Sequence, residues 1–119
     1  MTSAQRLSLL EKALAELNRR GTGYLLFEDA QNGDNYAEVI ASDFRAEISH
    51  RRWPACKLPP LTAAALTRLD RLGFKETERN PSRDFRGWAF PRIAKTIEQV
   101  FLEVYECGPE FELRYSTGE

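Results

Sequence analysis

The order of its hydrophobic patterns constrains this chain more than any single motif. Residues 23 to 28 form an apolar and aromatic run, and residues 36 to 41 and 44 to 49 alternate in character from one residue to the next. Residues 32 to 34, Asn-Gly-Asp, favour a hairpin turn because Asn and Gly tolerate positive backbone angles. These segments predict an antiparallel meander of three strands.

Three helical patterns surround this meander. Residues 3 to 20 place leucines at three- and four-residue steps with charged residues between them, and Gly21 predicts the helix end. A second pattern spans residues 62 to 72 and begins at a threonine, which is a favoured capping residue. Pro91 predicts the first turn of a third helix, which stops at Gly108. The meander is therefore bracketed by helices.

Shorter segments complete the predicted order. Residues 74 to 78 and 85 to 90 favour two short strands, whereas residues 50 to 60 contain three prolines and predict an irregular connection. Residues 109 to 119 alternate and form either a last strand or a frayed tail. Because strands follow strands between helices, we predict an α+β fold in the order α-β-β-β-α-β-β-α, an antiparallel sheet with helices on one face.

The length of the chain fits one domain. A chain of 119 residues needs a single core, so residues 1 to 119 are predicted to form one domain with a core over about residues 3 to 108. No apolar stretch approaches the ~20 residues of a membrane-spanning helix. The N-terminus also lacks the pattern of a signal peptide. These features predict a cytoplasmic protein without membrane contact.

The balance of charge weighs against nucleic acid as a partner. Seventeen Lys and Arg residues face eighteen Asp and Glu residues, so the net charge of −1 gives no general attraction for a phosphate backbone. The one local combination of cations with an aromatic residue is the loop Arg51-Arg52-Trp53. Its cations would contact phosphates while the indole stacks on a base, so nucleic-acid binding there is the third alternative.

Catalytic and metal-binding patterns are missing from the sequence. The two cysteines lie too far apart for a zinc site, which needs about four ligands at short paired spacings. His50 is the single histidine, and its arginine neighbours disfavour an imidazolium and repel a metal ion. We therefore predict no enzymatic activity, no cofactor and no metal. Acid–base chemistry by carboxylates such as Glu28, Asp29 or Glu47 is the alternative.

Two segments with large aromatic residues form the candidate binding site. In the predicted strand over residues 85 to 90, Trp88 and Phe90 share a face that is only partly covered. With Trp53 they would line an apolar groove for an extended or helical segment of another protein. The alternative is that these large aromatic residues belong to the core.

Several short segments together carry a family resemblance. They are Tyr24-Leu25-Leu26-Phe27, Ala37-Glu38-Val39, Pro59-Pro60-Leu61, Leu69 through Leu72-Gly73-Phe74, and Trp88 before the Pro91 helix. On these residues the chain resembles the TY-Chap family, small domains similar to type III secretion chaperones and to YbjN-type proteins. The resemblance implies an α+β domain that binds segments of partner proteins without nucleotide or metal, and it implies homodimers. The chain departs at Gly73-Phe74, where the family often has Gly-Trp.

The leading hypothesis is a protein- or peptide-binding domain of chaperone type that holds a segment of a partner protein. Apolar contacts from Trp53, Trp88 and Phe90 would supply affinity, and Arg51 and Arg52 would orient an acidic partner. The alternative from another class is a toxin-neutralising immunity protein, a small and slightly acidic domain that plugs one enzyme. The identity of the partner separates these two hypotheses.

Overall fold

The computed structural model describes residues 1 to 119 and is built on a five-stranded antiparallel sheet. The elements are α1 (Ser3–Arg20), β1 (Tyr24–Asp29), β2 (Asn32–Ile40), β3 (Arg45–Ile48), α2 (Ala63–Arg71), β4 (Ser82–Asp84), α3 (Phe90–Gln99), which continues into a π-helical turn (Val100–Val104), and β5 (Leu113–Gly118). The strands lie in the order β4-β3-β2-β1-β5. The predicted α+β class and the meander of β1, β2 and β3 are confirmed. None of the helices has both the length and the apolar character needed to cross a membrane.

One face of the sheet carries the core. Leu25 and Phe27 of β1 are buried, whereas Leu26 between them is half-buried, which is the period-two pattern of a strand with one covered face. Leu14 of α1 and Ile97 of α3 belong to the same cluster of buried apolar side chains. The helices therefore cover one face of the sheet, as predicted.

The predicted ends of the first two helices are confirmed. Gly21 ends α1 in the left-handed conformation, with φ at 73°. Thr62 starts α2 and accepts a hydrogen bond from the Ala65 N–H at 3.1 Å. At the start of α1, Thr2 and Gln5 form a reciprocal capping box. Local hydrogen bonds thus fix these boundaries.

The prediction of a hairpin turn at residues 32 to 34 is wrong. β1 and β2 are joined at Ala30 and Gln31, because the Asp29 carboxylate accepts the Gln31 N–H at 3.0 Å and closes the turn there. Asn32 accepts the Asp34 N–H in the same manner at 3.0 Å. The pairing register of β1 with β2 shifts at this place, so residues 32 to 34 start β2 in a bulged segment.

The two short strands predicted around residues 80 to 84 are also corrected. Residues 74 to 78 contribute one isolated bridge, from Lys75 to Ser82, and the strand β4 occupies the connection between the two predicted strands. The Phe85 N–H donates to the Phe44 carbonyl and the Phe85 carbonyl accepts the Trp88 N–H, so the chain turns instead of extending. Trp88 lies in that turn and Phe90 begins α3. The strand predicted over residues 85 to 90 does not form.

The tail forms a strand rather than a frayed end. β5 pairs with β1 along six residues without a shift of register, from Leu113 opposite Asp29 to Gly118 opposite Tyr24. This pairing makes β5 one edge of the sheet and β4 the other.

Candidate functional site

The Trp88 groove is an open depression beside the N-terminus of α3. It encloses about 530 Å³ and is bordered by the turn between β2 and β3, the segment before α3 and Asn18 near the end of α1. Its apolar lining consists of Ala41, Phe44, Phe85, Trp88, Ala89 and Phe90. Three segments far apart in sequence therefore meet around one apolar space.

Aromatic contacts hold the floor of the Trp88 groove in place. The rings of Phe44 and Phe90 stack with centroids 6.0 Å apart, and the edge of Phe85 meets Trp88 at 5.4 Å. Phe85 is fully buried, whereas Trp88 and Phe90 are half-buried and pack against the core. Phe44 has a positive φ of 49°, a conformation uncommon for a bulky residue. The groove is thus a supported surface with two partly open aromatic side chains.

Two guanidinium groups lie over the Trp88 ring. The Cζ atoms of Arg83 and Arg92 are 4.2 and 4.3 Å from its centroid, within the range of cation–π attraction. Arg83 also donates to the Leu72 carbonyl, and burial together with the Arg92 charge lowers the pKa of Arg83. Neither arginine has a carboxylate partner. In contrast, Arg86 on the rim forms an ion pair with Asp84 at 2.7 Å.

The polar edge of Trp88 is free. Its indole N–H makes no hydrogen bond within the protein and is not sealed away from solvent. The cap residue before α3, Ala89, likewise supplies no side-chain hydrogen bond. A ligand in the Trp88 groove therefore meets an apolar floor and an unpaired N–H donor, together with the charged side chains Asp43 and Arg86 of the lining. Arg83 and Arg92 lie over the Trp88 ring but do not line the groove.

Comparison with models of protein families, with curated proteins and with solved structures finds no match. The resemblance to the TY-Chap family is therefore carried by the sequence segments alone and stays a prediction. The functional argument rests on the residues of the site.

The other predicted tryptophan, Trp53, lies outside the Trp88 groove. Its indole N–H donates to the Asn80 side chain at 3.1 Å, and its ring lies against His50 with centroids 5.0 Å apart. Asn80 in turn donates to the Tyr36 hydroxyl at 2.9 Å. These contacts of Trp53 hold the loop of residues 50 to 60 in place. The two tryptophans therefore do not line one common groove, contrary to the prediction.

The two predicted arginines differ in their environment. Arg51 donates to the Asn35 side-chain oxygen through two nitrogens, at 2.9 and 2.7 Å, and lies over the Tyr105 ring at 5.3 Å. Its φ of 61° also marks it as a residue held in a tight conformation. Arg52 is exposed, and its backbone N–H donates to the Nδ1 atom of the His50 imidazole at 2.8 Å. Only Arg52 of this pair has a guanidinium group without a hydrogen bond inside the protein.

The titratable groups near this loop show no catalytic arrangement. Burial and the charge of Arg52 lower the pKa of His50, which favours the neutral imidazole. The Cys107 thiol donates to Asp29 at 3.5 Å, and burial raises its pKa to about 12. Cys107 is therefore a thiol rather than a nucleophilic thiolate near neutral pH. No group of three or more His, Cys, Asp or Glu side chains is placed to hold a metal ion.

Of the three carboxylates considered for acid–base chemistry, Glu28 and Glu47 form ion pairs, whereas Asp29 accepts hydrogen bonds from the Gln31 backbone N–H and the Cys107 thiol. Glu28 contacts Arg114 at 3.4 Å and Glu47 contacts Arg45 at 3.4 Å. The half-buried Glu38 lies opposite Glu47 on the neighbouring strand. Burial, and secondarily the Glu47 charge, raise the pKa of Glu38.

Sequence reasoning missed Arg83, Arg92 and Phe44 as parts of the site. Phe44 lies at the start of one predicted strand and Arg83 lies between two others, so neither pattern relates them to Trp88. Arg92 follows Trp88 by only four residues, but the two were assigned to a strand and a helix, so no helical spacing related them.

Proposed function

We propose that this chain is a non-enzymatic protein-binding domain of chaperone type that holds a segment of a partner protein in the Trp88 groove. The observation that carries the proposal is Trp88 itself, a half-buried tryptophan with a free indole N–H and two unneutralised guanidinium groups over its ring. The proposed place of action is the cytoplasm.

The chemistry of the Trp88 groove favours an apolar segment that carries an acidic residue. An aliphatic or aromatic side chain would contact Phe44 and Phe90, and the Trp88 N–H would donate to a backbone carbonyl of the segment. A carboxylate on the part of the segment that extends past the groove would reach Arg92, which lies over the Trp88 ring, is exposed and lacks an ion pair. The role assigned to Arg51 and Arg52 in the sequence is thus proposed for Arg92, supported by Arg83.

The free energies of the contacts available in the Trp88 groove favour a weak and exchangeable complex. Burial of one anchoring side chain contributes about 1.5–3 kcal/mol, one hydrogen bond about 1 kcal/mol, and one exposed ion pair about 0.2–1 kcal/mol. The entropy lost on association offsets much of this sum. An immunity protein needs a far larger interface, on the order of 800 Å² on each partner. A groove of this size therefore supports holding a segment more than blocking an enzyme.

The loop of residues 51 to 53 gives little support to nucleic-acid binding. Arg51 is bonded to Asn35, and the Trp53 ring lies against His50 with its N–H donated to Asn80. Arg52, the one guanidinium group of this loop without a hydrogen bond inside the protein, falls short of the several phosphate contacts that such binding needs.

The proposal is tested with short synthetic peptides that differ only in charge. One set places Asp or Glu beside Leu or Phe, and the matched set replaces each acidic residue by Lys. Binding is measured by fluorescence anisotropy of labelled peptides with the wild-type chain and with Trp88→Phe. Affinity for the acidic set that falls in Trp88→Phe supports the proposal. Equal affinity for both sets, unchanged in the variant, refutes it.

A further inference from the structure

The side chain of His50 is held firmly in the fold but keeps one nitrogen unused. It is only 9% exposed, its Nδ1 atom accepts the Arg52 backbone N–H at 2.8 Å, and its ring packs against Trp53. A neutral imidazole that accepts a hydrogen bond at Nδ1 carries its proton on Nε2, which is then a donor. The Nε2 atom has no hydrogen-bond partner in the protein and is not sealed from solvent. A side chain that is nine-tenths buried therefore presents an unpaired N–H donor.

This donor belongs to the wall of a small cavity, here called the His50 cavity. It encloses about 30 Å³ between the loop of residues 50 to 60 and residues 76 to 81, and Leu66 and Pro81 form its apolar wall. A water-sized atom needs about 10–15 Å³, so the cavity admits one or two oxygen atoms and no larger group. Because Nδ1 is occupied, Nε2 is the polar atom that His50 offers to such an oxygen.

Two arginines without ion pairs also line the His50 cavity. Arg52 and Arg79 are exposed, and the only hydrogen bonds that either donates come from its backbone N–H. The Arg79 N–H donates to the Thr77 hydroxyl at 3.1 Å, which holds its backbone in position and leaves its guanidinium free. One carboxylate, that of Glu76, lines the cavity and has no ion pair either. Two positive charges therefore face one negative charge around an N–H donor.

From this arrangement we infer that the His50 cavity binds one phosphate group, either as free phosphate or as a phosphate monoester. One oxygen would enter the cavity and accept the His50 Nε2–H, while the other two would face Arg52 and Arg79. A phosphate group carries about −1.5 to −2 charges and three acceptor oxygens, which match two guanidinium groups and one N–H donor. A carboxylate has two oxygens and one charge, so it would leave one of the three donors unused.

The site is distinct from the other binding sites considered for this chain. It takes a single phosphate group and offers no base-stacking surface, because the Trp53 ring already packs against His50. It also shares no residue with the lining of the Trp88 groove. Failure of the phosphate site would therefore leave the proposed peptide binding untouched, and the reverse also holds.

The first test follows His50, the single histidine, by nuclear magnetic resonance. Titration with inorganic phosphate at constant pH and ionic strength should shift the imidazole signals progressively until they saturate. Acetate is the comparison, and it should bind about tenfold more weakly because one charge-assisted hydrogen bond is lost. An imidazole that does not respond to phosphate overturns the inference, and so does equal affinity for acetate.

Phosphoserine, titrated beside inorganic phosphate, distinguishes the two sources of the group. Tighter binding of phosphoserine supports a site for phosphorylated molecules, and equal or weaker binding supports a site for free phosphate. If neither compound binds, the inference is wrong.

The second test uses charge variants, with phosphate affinity measured by calorimetry and folding checked by circular dichroism. Arg79→Gln should weaken binding about tenfold, whereas Glu76→Gln should strengthen it because the competing carboxylate is removed. His50→Asn keeps an acceptor for the Arg52 N–H but loses the Nε2 donor, so it should also weaken binding. The matched control is Arg71→Gln, at an exposed arginine of α2 outside the cavity, which should leave affinity unchanged.

The opposite effects of Arg79→Gln and Glu76→Gln separate a local site from a general response to charge. Both residues are exposed, so neither substitution removes a buried contact of the fold. Equal losses in Arg79→Gln and Arg71→Gln would overturn the inferred site, and so would unchanged affinity in Arg79→Gln.

Discussion

The Arg6 Nε donates to the Glu98 carboxylate at 3.1 Å in an ion pair whose side chains are only 1% and 8% exposed. The remaining guanidinium nitrogens of Arg6 donate to three carbonyls, those of Met1, Pro109 and Phe111, at 2.6 to 3.0 Å. The pair thus joins α1 to α3 and fixes the segment that leads into β5.

Removal of Arg6 should destabilise the fold strongly. Arg6→Ala leaves Glu98 as a buried charge without a counter-ion, which costs about 3–5 kcal/mol in free energy of unfolding. The matched control is Arg19→Ala, which breaks the exposed pair with Glu16 and should cost about 0.5 kcal/mol or less. Urea denaturation measures both. Similar losses in the two variants would contradict this account of Arg6.

Substitution of each tryptophan by Phe should distinguish an effect on peptide binding from an effect on stability. Trp88→Phe removes an unused N–H, so affinity for acidic peptides should fall while the free energy of unfolding changes little. Trp53→Phe removes the hydrogen bond to Asn80, so stability should fall by about 1 kcal/mol while affinity stays unchanged. Denaturation and peptide titration are run on both variants. A loss of affinity in Trp53→Phe alone would place the peptide-binding site at the loop of residues 50 to 60.

Charge reversal at Arg92 should weaken binding selectively. Arg92→Glu replaces attraction for an acidic segment by repulsion and should reduce affinity roughly tenfold, or about 1.4 kcal/mol. Arg52→Glu makes the same change in net charge at an exposed arginine that has no contact with Trp88, and it serves as the control. Titrations at low and high salt should show a smaller difference at high salt. Equal effects of the two reversals would show a response to net charge only.

The carboxylate of Glu38 should make stability depend on pH. Burial and the Glu47 charge raise the pKa of Glu38 above its ordinary value of 4.5, so the folded state holds this proton more tightly than the unfolded state. Stability from this group therefore falls as pH rises from 4.5 through the raised pKa. Glu38→Gln should raise the melting temperature at pH 7 and give no gain below pH ~4. An equal gain at both pH values would exclude this cause.

Periodicity predicted the parts of this fold that bury long apolar patterns. The leucines of α1 and the alternation of β2 report directly on the side that faces the core, so the helix and the meander were predicted from residues alone. The position of the turn after β1 was missed because one hydrogen bond, from the Gln31 backbone N–H to the Asp29 carboxylate, decides between neighbouring turn positions.

The site was predicted less completely for a physical reason. Alternation between Phe85 and Phe90 resembles a strand, but the bond from the Phe85 N–H to the Phe44 carbonyl joins residues far apart in sequence and bends the chain. No local pattern contains that contact. The same holds for Arg83, whose place over Trp88 depends on the packing of β4 against the rest of the sheet.

The most direct test of the Trp88 groove follows the indole N–H signals by nuclear magnetic resonance. The chain has two tryptophans and therefore two such signals, which Trp53→Phe assigns. On titration with an acidic, apolar peptide, the Trp88 signal is expected to shift progressively while the Trp53 signal stays in place. A shift of the Trp53 signal alone, or no shift of the Trp88 signal while the peptide binds, would contradict the proposed function.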